Sequence, residues 1–160
     1  MSKILITGFI GNANSSKIFL DNIKTGIDLL YLENDFKISE KQLTDKLQKN
    51  TYDIIFSFGQ KPVIKSIYIE TIAANGFERL ETNYDYTGLK NYLENYYKIK
   101  ISINAGNYLC NNIYYKGLKN IYNNKLKTQM IFLHIPYLNN IDVKHFSKTM
   151  EKYIEGIINR

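Results

Sequence analysis

The segment Tyr52-Asp-Ile-Ile-Phe-Ser-Phe58 (YDIIFSF), halted by Gly59 and Gln60, decides the fold class. A short run of β-branched and aromatic residues closed by glycine reads as a buried strand. Working outward, the same reading applies to Lys3–Thr7 (KILIT) before Gly8, to Asp28–Leu32, to Ile99–Ile103, and to Gln129–Ile135 (QMIFLHI) before Pro136. The less regular stretch Ile64–Ala74 is rich in β-branched residues and is expected to be extended.

Helical spacing fills the gaps between these runs. Ser15 or Ser16 is expected to cap a helix carrying Ile18, Phe19 and Ile23. Ser39 and Gln42 form a capping-box pattern ahead of Leu43 and Leu47. Thr87 opens a helix with Leu89, Tyr92, Leu93 and Tyr96, and residues 107–122 carry Leu109, Ile113, Leu118 and Ile121. The last helix is expected to bury Val143, Phe146, Met150, Tyr153, Ile154 and Ile157. Strands alternate with helices from end to end, without repeats or linkers. This predicts an α/β fold, a single domain over residues 1–160 with an open twisted sheet and helices on both faces. In such sheets sites gather at the carboxyl ends of strands. Gly8-Phe9, Gly59-Gln60, the loop before Cys110, and His134 all fall at such ends.

Composition narrows the function classes. An apolar fraction of 44% and a charged fraction of 22% are those of an ordinary globular chain. No apolar run approaches the roughly 18 residues of a membrane span, and residues 1–11 read as a first strand, not a signal peptide. A cytoplasmic protein with no membrane partner is expected. The net charge of +6 comes from lysines scattered among acids, with no dense basic run and no RNA-binding aromatic signature. No nucleic-acid partner is therefore expected. One cysteine excludes an internal disulfide, and with only His134 and His145 it leaves no metal site and no cofactor to be expected. Gly8–Gly11 (GFIG) before Ser15-Ser16-Lys17 matches neither phosphate-loop pattern.

A lone cysteine is most often a small buried hydrophobe. Cys110, however, follows Asn104-Ala-Gly-Asn107 at the expected start of a helix. Helix N-terminal N–H groups lower a thiol's pKa and can hold an oxyanion. His134, 24 residues later near the end of a strand, is the candidate base, whereas His145 lies off the apolar face of the last helix. Glu70 is the candidate third group, although spacing alone leaves it either partnered inside the apolar run 67–74 or facing solvent at an edge.

Five segments together resemble the pyroglutamyl peptidase I family, also called pyrrolidone-carboxylate peptidases. They are I-L-I-T-G-F (4–9), Asn14-Ser15-Ser16 in place of an N-P-S, D-I-I-F-S-F-G-Q (53–60), S-I-N-A-G-N-Y-L-C-N-N-I-Y-Y (102–115) and F-L-H-I-P-Y-L (132–138). The resemblance implies that family's fold, and a cysteine exopeptidase that removes N-terminal pyroglutamate from peptides without a metal. It also implies a triad of Cys110, His134 and Glu70, a substrate pocket with Phe9, Gln60, Tyr108 and Leu109, and a homo-dimer or tetramer. The chain departs from the pattern in several places. G-F-x-P-F-G-G is shortened to Gly8-Phe9-Ile10-Gly11, Pro62-Val63-Ile64 replaces G-G-R, and Thr71 stands for an arginine. The long loop that follows is mostly missing, with Arg79 as its one candidate remnant. A cysteine amidohydrolase or peptidase of altered specificity, and a non-catalytic binding protein on the same fold, are the alternatives.

Overall fold

The structure is a computed structural model that describes residues 1–24 and 26–160. Its elements run β1 (Ile4–Phe9), α1 (Ser15–Asp21), β2 (Asp28–Leu32), α2 (Phe36–Lys49), β3 (Ile54–Gln60), β4 (Ile67–Glu70), β5 (Ile72–Asn75) and β6 (Glu78–Glu81). They continue with α3 (Thr87–Leu93), β7 (Ile99–Ser102), α4 (Leu109–Asn123), β8 (Gln129–Ile135) and α5 (Val143–Ile158). Six strands form one sheet in the order β2-β1-β3-β8-β4-β7, and β5 and β6 form a separate hairpin. The hairpin falls partly on the stretch expected to be one extended segment. The chain bends after Glu70, where the Thr71 N–H donates to Ser102 O at 2.8 Å.

Side chains alternate across a strand, so each strand feeds two layers. On one face Ile4, Ile6, Ile54, Phe56, Phe58, Ile131, Leu133 and Ile135 meet residues of α1, α3 and α5. On the other, Leu5, Phe9, Ile55, Met130 and Phe132 meet α2, α4 and Ala73 of the hairpin. The expected sheet with helices on both faces is what the chain forms. The sheet is mixed: β2, β1, β3 and β8 are parallel, while β4 runs antiparallel to β8 and parallel to β7. Both carboxyl ends of β4 and β7 consequently point away from those of the central strands.

Two expected caps are corrected. The first helix is capped by Asn14, whose side chain accepts from Ser16 N, so Ser15 and Ser16 lie inside it. Asp35 caps α2 by accepting from Ile38 N at 2.9 Å, which leaves Ser39 within the helix, bonded back to Phe36 O. A carboxylate one turn upstream meets the free N–H groups first. Gln42 instead bridges Glu33 N and Tyr31 O, tying α2 to the end of β2. Gly8 has a packing role: a Cβ there would come within 2.8 Å of Leu20 Cδ1 and 3.0 Å of Ser16 O, so α1 sits directly on β1.

Candidate active site

The alternation that builds the α4 layer also assembles the site. His134 pairs with Gly59 across β3–β8 and with Tyr68 across β8–β4, while Glu70 pairs with Phe132. Residues opposite one another share a face, and Phe132 and His134 are two apart on one strand. Glu70 is therefore the diagonal neighbour of His134 on the face covered by α4. His134 Nδ1 lies 2.9 Å from Glu70 Oε1, with His134 3% exposed and Glu70 fully buried. A carboxylate only accepts, so Nδ1 carries the proton and Nε2 is left as a proton acceptor. Of the two readings of Glu70 left open by spacing, the structure takes the partnered, interior one.

Phe132 packs beside the imidazole with ring centroids 5.1 Å apart, and Tyr114 stacks behind it at 5.6 Å. Tyr114 donates its hydroxyl to Glu70 O at 2.7 Å, fixing the backbone that carries the acid. Glu70 Oε2 is buried and has no hydrogen-bond partner among the described residues. Half of the carboxylate thus has only the neighbouring imidazole for compensation.

Cys110 is the second residue of α4, and no side chain caps that helix start. The first N–H groups of an α-helix have no intrahelical partner, and Cys110 stands in that first turn. The sulfur lies against Gly59: a Cβ built on that glycine would collide with Cys110 Sγ and come within 2.9 Å of Phe132 Cζ. Because Gly59 is the register partner of His134, the thiol lies over the strand next to the one that carries the imidazole. Among the described residues no hydrogen bond joins Cys110 to His134. Replacing Gly59 by alanine is expected to displace the thiol and lower kcat/KM by at least about 10²-fold. It should also cost about 1–3 kcal/mol of stability from overpacking. Steady-state rates and urea midpoints would measure the two effects.

The expectation of a lowered thiol pKa is corrected. Burial and the negative charge of Glu70 push the Cys110 thiol up to about 12, against which the positive charge of Lys61 pulls it down. The resting group is a neutral thiol at pH 7 to 8. Alkylation by iodoacetamide should therefore be slower than for a free thiol at pH 7.5 and rise roughly tenfold per pH unit past pH 9 without levelling. A plateau near neutrality in a pH–rate profile would contradict this. Raising an acid's pKa on folding stabilises its neutral form. That contribution is present below the ordinary thiol value of 9.0 and is lost as pH climbs through about 12.

Of the residues expected to line the pocket, Phe9 and Leu109 are buried together in the α4-layer cluster. Tyr108, 66% exposed, stands edge-on to Phe36 at 5.3 Å on the rim. Gln60 borders an open cleft of about 440 Å³ with Ala13, Tyr137, Leu138 and Asn139, at the carboxyl ends of the parallel strands. His145 is exposed on α5 and hydrogen-bonds Tyr97, outside the site.

Three positioning roles are not legible in the sequence, where Arg79 stands only as a candidate loop remnant. Asn111, next to the thiol, makes a paired bond to Ala74 (Oδ1 to N at 2.9 Å, Nδ2 to O at 2.8 Å) and docks the helix start on the hairpin. Arg79, at the far strand of that hairpin, donates to Ile103 O at 3.3 Å and holds the loop leading to Cys110. Lys61 lies close enough to act on the thiol. The neighbouring Asn111-Asn112 pair was the one visible signal, since two amides inside an apolar helix pattern call for partners.

A pyroglutamyl peptidase family model matches residues 89–158, the stretch that holds both Cys110 and His134. Over that stretch the chain is similar to the pyroglutamyl peptidase family. Solved structures with this family's fold cover nearly the whole chain at low identity. The pyrrolidone carboxyl peptidase of Fervidobacterium islandicum is 18% identical with 99% of each chain covered and a TM-score of 0.86. Pyroglutamyl peptidase I of Bacillus amyloliquefaciens is 19% identical over 94% of each chain, with a TM-score of 0.85. The Thermococcus litoralis pyrrolidone carboxyl peptidase is 20% identical over 97% of this chain and 92% of that one, with a TM-score of 0.82. No curated protein sequence matches. Phe9, Gln60 and Glu70 fall outside the segment matched by the family model, so their places in the site rest on the fold.

Proposed function

We propose that the chain is a cysteine exopeptidase that removes N-terminal pyroglutamate from peptides, with Cys110 as nucleophile, His134 as base and Glu70 as its orienting acid. The observation that carries this reading is the buried His134–Glu70 bond, which leaves Nε2 as the free ring nitrogen on the strand beside the thiol. Because the thiol rests neutral, proton transfer and attack are coupled. His134 Nε2 takes the Sγ proton as sulfur bonds to the scissile carbonyl carbon. The carbonyl oxygen becomes an oxyanion beside the free N–H groups that start α4. Glu70 stabilises the imidazolium, which returns the proton to the departing amine. Water, deprotonated by the same imidazole, then cleaves the thioester and restores the thiol. The apolar wall of Phe9 and Leu109 suits a flat lactam ring, with Gln60 as its polar contact.

Gln60 is itself oriented: the Ser15 N–H donates to Gln60 Oε1 at 2.8 Å, which turns the amide NH₂ outward. Ser15→Pro removes that donor at a first helical position where proline is well tolerated. It is expected to raise KM by roughly three- to tenfold with kcat little changed, whereas Ser15→Ala, which keeps the N–H, should not. The Ser15 hydroxyl has no hydrogen-bond partner, so its loss removes no bond.

The reading is tested by hydrolysis of a pyroglutamyl-aminocoumarin by the purified protein, before and after complete alkylation of Cys110 confirmed by mass. Hydrolysis that survives alkylation would sink it. Prolyl and free N-terminal substrates measured alongside identify altered specificity, and a protein inert to all of them is a binding module on this fold.

A further inference from the structure

We infer that Lys61 and Lys100 form a subsite for a carboxylate on the leaving-group side of the scissile bond. The inference rests on the peptidase reading above for the direction in which the substrate lies. Tyr68 is the partner of His134 across β4–β8, and Lys100 is the partner of Tyr68 across β4–β7. All three side chains thus project from the face that carries Cys110. Lys61, anchored by its N–H to Ile135 O at 3.0 Å, lies with Nζ 5.3 Å from the centre of the Tyr68 ring. Lys100 Nζ lies 5.8 Å from the same ring. Two ammonium groups therefore share one phenol next to the base, held there by cation–π attraction.

Neither has an acidic partner. Among the described residues Lys17, Lys41, Lys90, Lys116 and Lys119 each pair with a carboxylate, whereas no carboxylate lies within ion-pair distance of Lys61 or Lys100. The strand order gives the pair a direction. Phe9 and Gln60 sit over β1 and β3, the thiol over Gly59 of β3, the base on β8, Tyr68 on β4 and Lys100 on the edge strand β7. An acyl group held over β1 and β3 sends its leaving amine past His134, toward the lysines. The Lys61 charge is felt at Cys110, in keeping with its place over Tyr68 beside the imidazole. A carboxylate borne by the first residue of the leaving peptide would meet both cations. It is either the free α-carboxylate of a dipeptide or an Asp or Glu side chain.

The Cys110→Ala protein allows binding to be read without turnover. Calorimetric titration with pyroglutamyl-alanine, pyroglutamyl-alanine amide and pyroglutamyl-glutamate amide should show at least one acid-bearing peptide bound about tenfold tighter than the neutral amide. Which of the two gains identifies the α-carboxylate or the side chain as the source. The advantage should shrink to about twofold when Lys100→Gln is added, and also at 0.5 M salt. Equal affinity for all three peptides overturns the inference, as does a preference for acid that survives both Lys100→Gln and Lys61→Gln. So does a lack of measurable binding by any of them. Turnover of the neutral aminocoumarin substrate by the unmodified protein reports the peptidase reading separately. Its failure beside an intact, lysine-dependent carboxylate preference would reject the reaction and keep the anion subsite.

Discussion

Replacing Cys110 with alanine is expected to abolish pyroglutamyl hydrolysis, a loss on the order of 10⁵-fold or more, while the chain stays folded. The two effects separate because of how the sulfur is held. Among the described residues it makes no hydrogen bond, it rests as a neutral thiol, and it packs against Gly59. Removing it therefore strands no polar partner. The cost of truncation should be about 1 kcal/mol or less, the value of a small apolar group. Rates on the aminocoumarin substrate and a urea melt measure both. A variant that hydrolyses normally ends the nucleophile assignment. One that unfolds would mean that the sulfur supports the α4 layer in a way its contacts do not show.

Glu70→Gln is the second large effect, with kcat expected to fall by about 10³- to 10⁴-fold. Glutamine keeps the shape and can still accept the Nδ1 proton through its carbonyl, so the imidazole can stay in place. Two things change. The imidazolium loses its counter-charge, and an amide NH₂ takes the position of Oε2, which has no partner to accept from it. The thiol responds in the opposite sense, since the Glu70 charge is one of the causes that raise its pKa. The variant should therefore alkylate faster than the parent while hydrolysing far more slowly. A mere packing role for Glu70 would move neither quantity in that pattern. If both rates fell together, the acid would be acting through the fold alone.

Much of this arrangement is legible in the sequence, and the illegible part has specific causes. Runs such as YDIIFSF and QMIFLHI declare buried strands by composition alone, and the helical faces of α4 and α5 follow from spacing. Direction is not written in a short strand: Ile67–Glu70 and Ile99–Ser102 carry no mark that they run against β8. The hairpin Ile72–Glu81 escaped notice because its strands are short and half polar. Its role in docking Asn111 and, through Arg79, in holding the loop before Cys110 is illegible for the same reason. Caps were misplaced where two candidates compete, as with Asp35 and Ser39. The thiol's pKa was misjudged because a helix start is visible in sequence, whereas the Glu70 charge and the depth of the sulfur depend on packing. Cys110, His134 and Glu70 could be named from their segments. That Glu70 reaches His134 diagonally could not, because it depends on register.

That register has a consequence of its own. Only three residue pairs, Tyr68 with His134, Ile69 with Leu133 and Glu70 with Phe132, align β4 on β8. A slip of one position would turn Glu70 toward the α5 layer and put an apolar side chain beneath the imidazole. The contact between His134 and Glu70 therefore forms only when this register is reached. Recovery of activity during refolding would then serve as a clock for the docking of this one strand, distinct from the optical signals that follow the rest of the molecule.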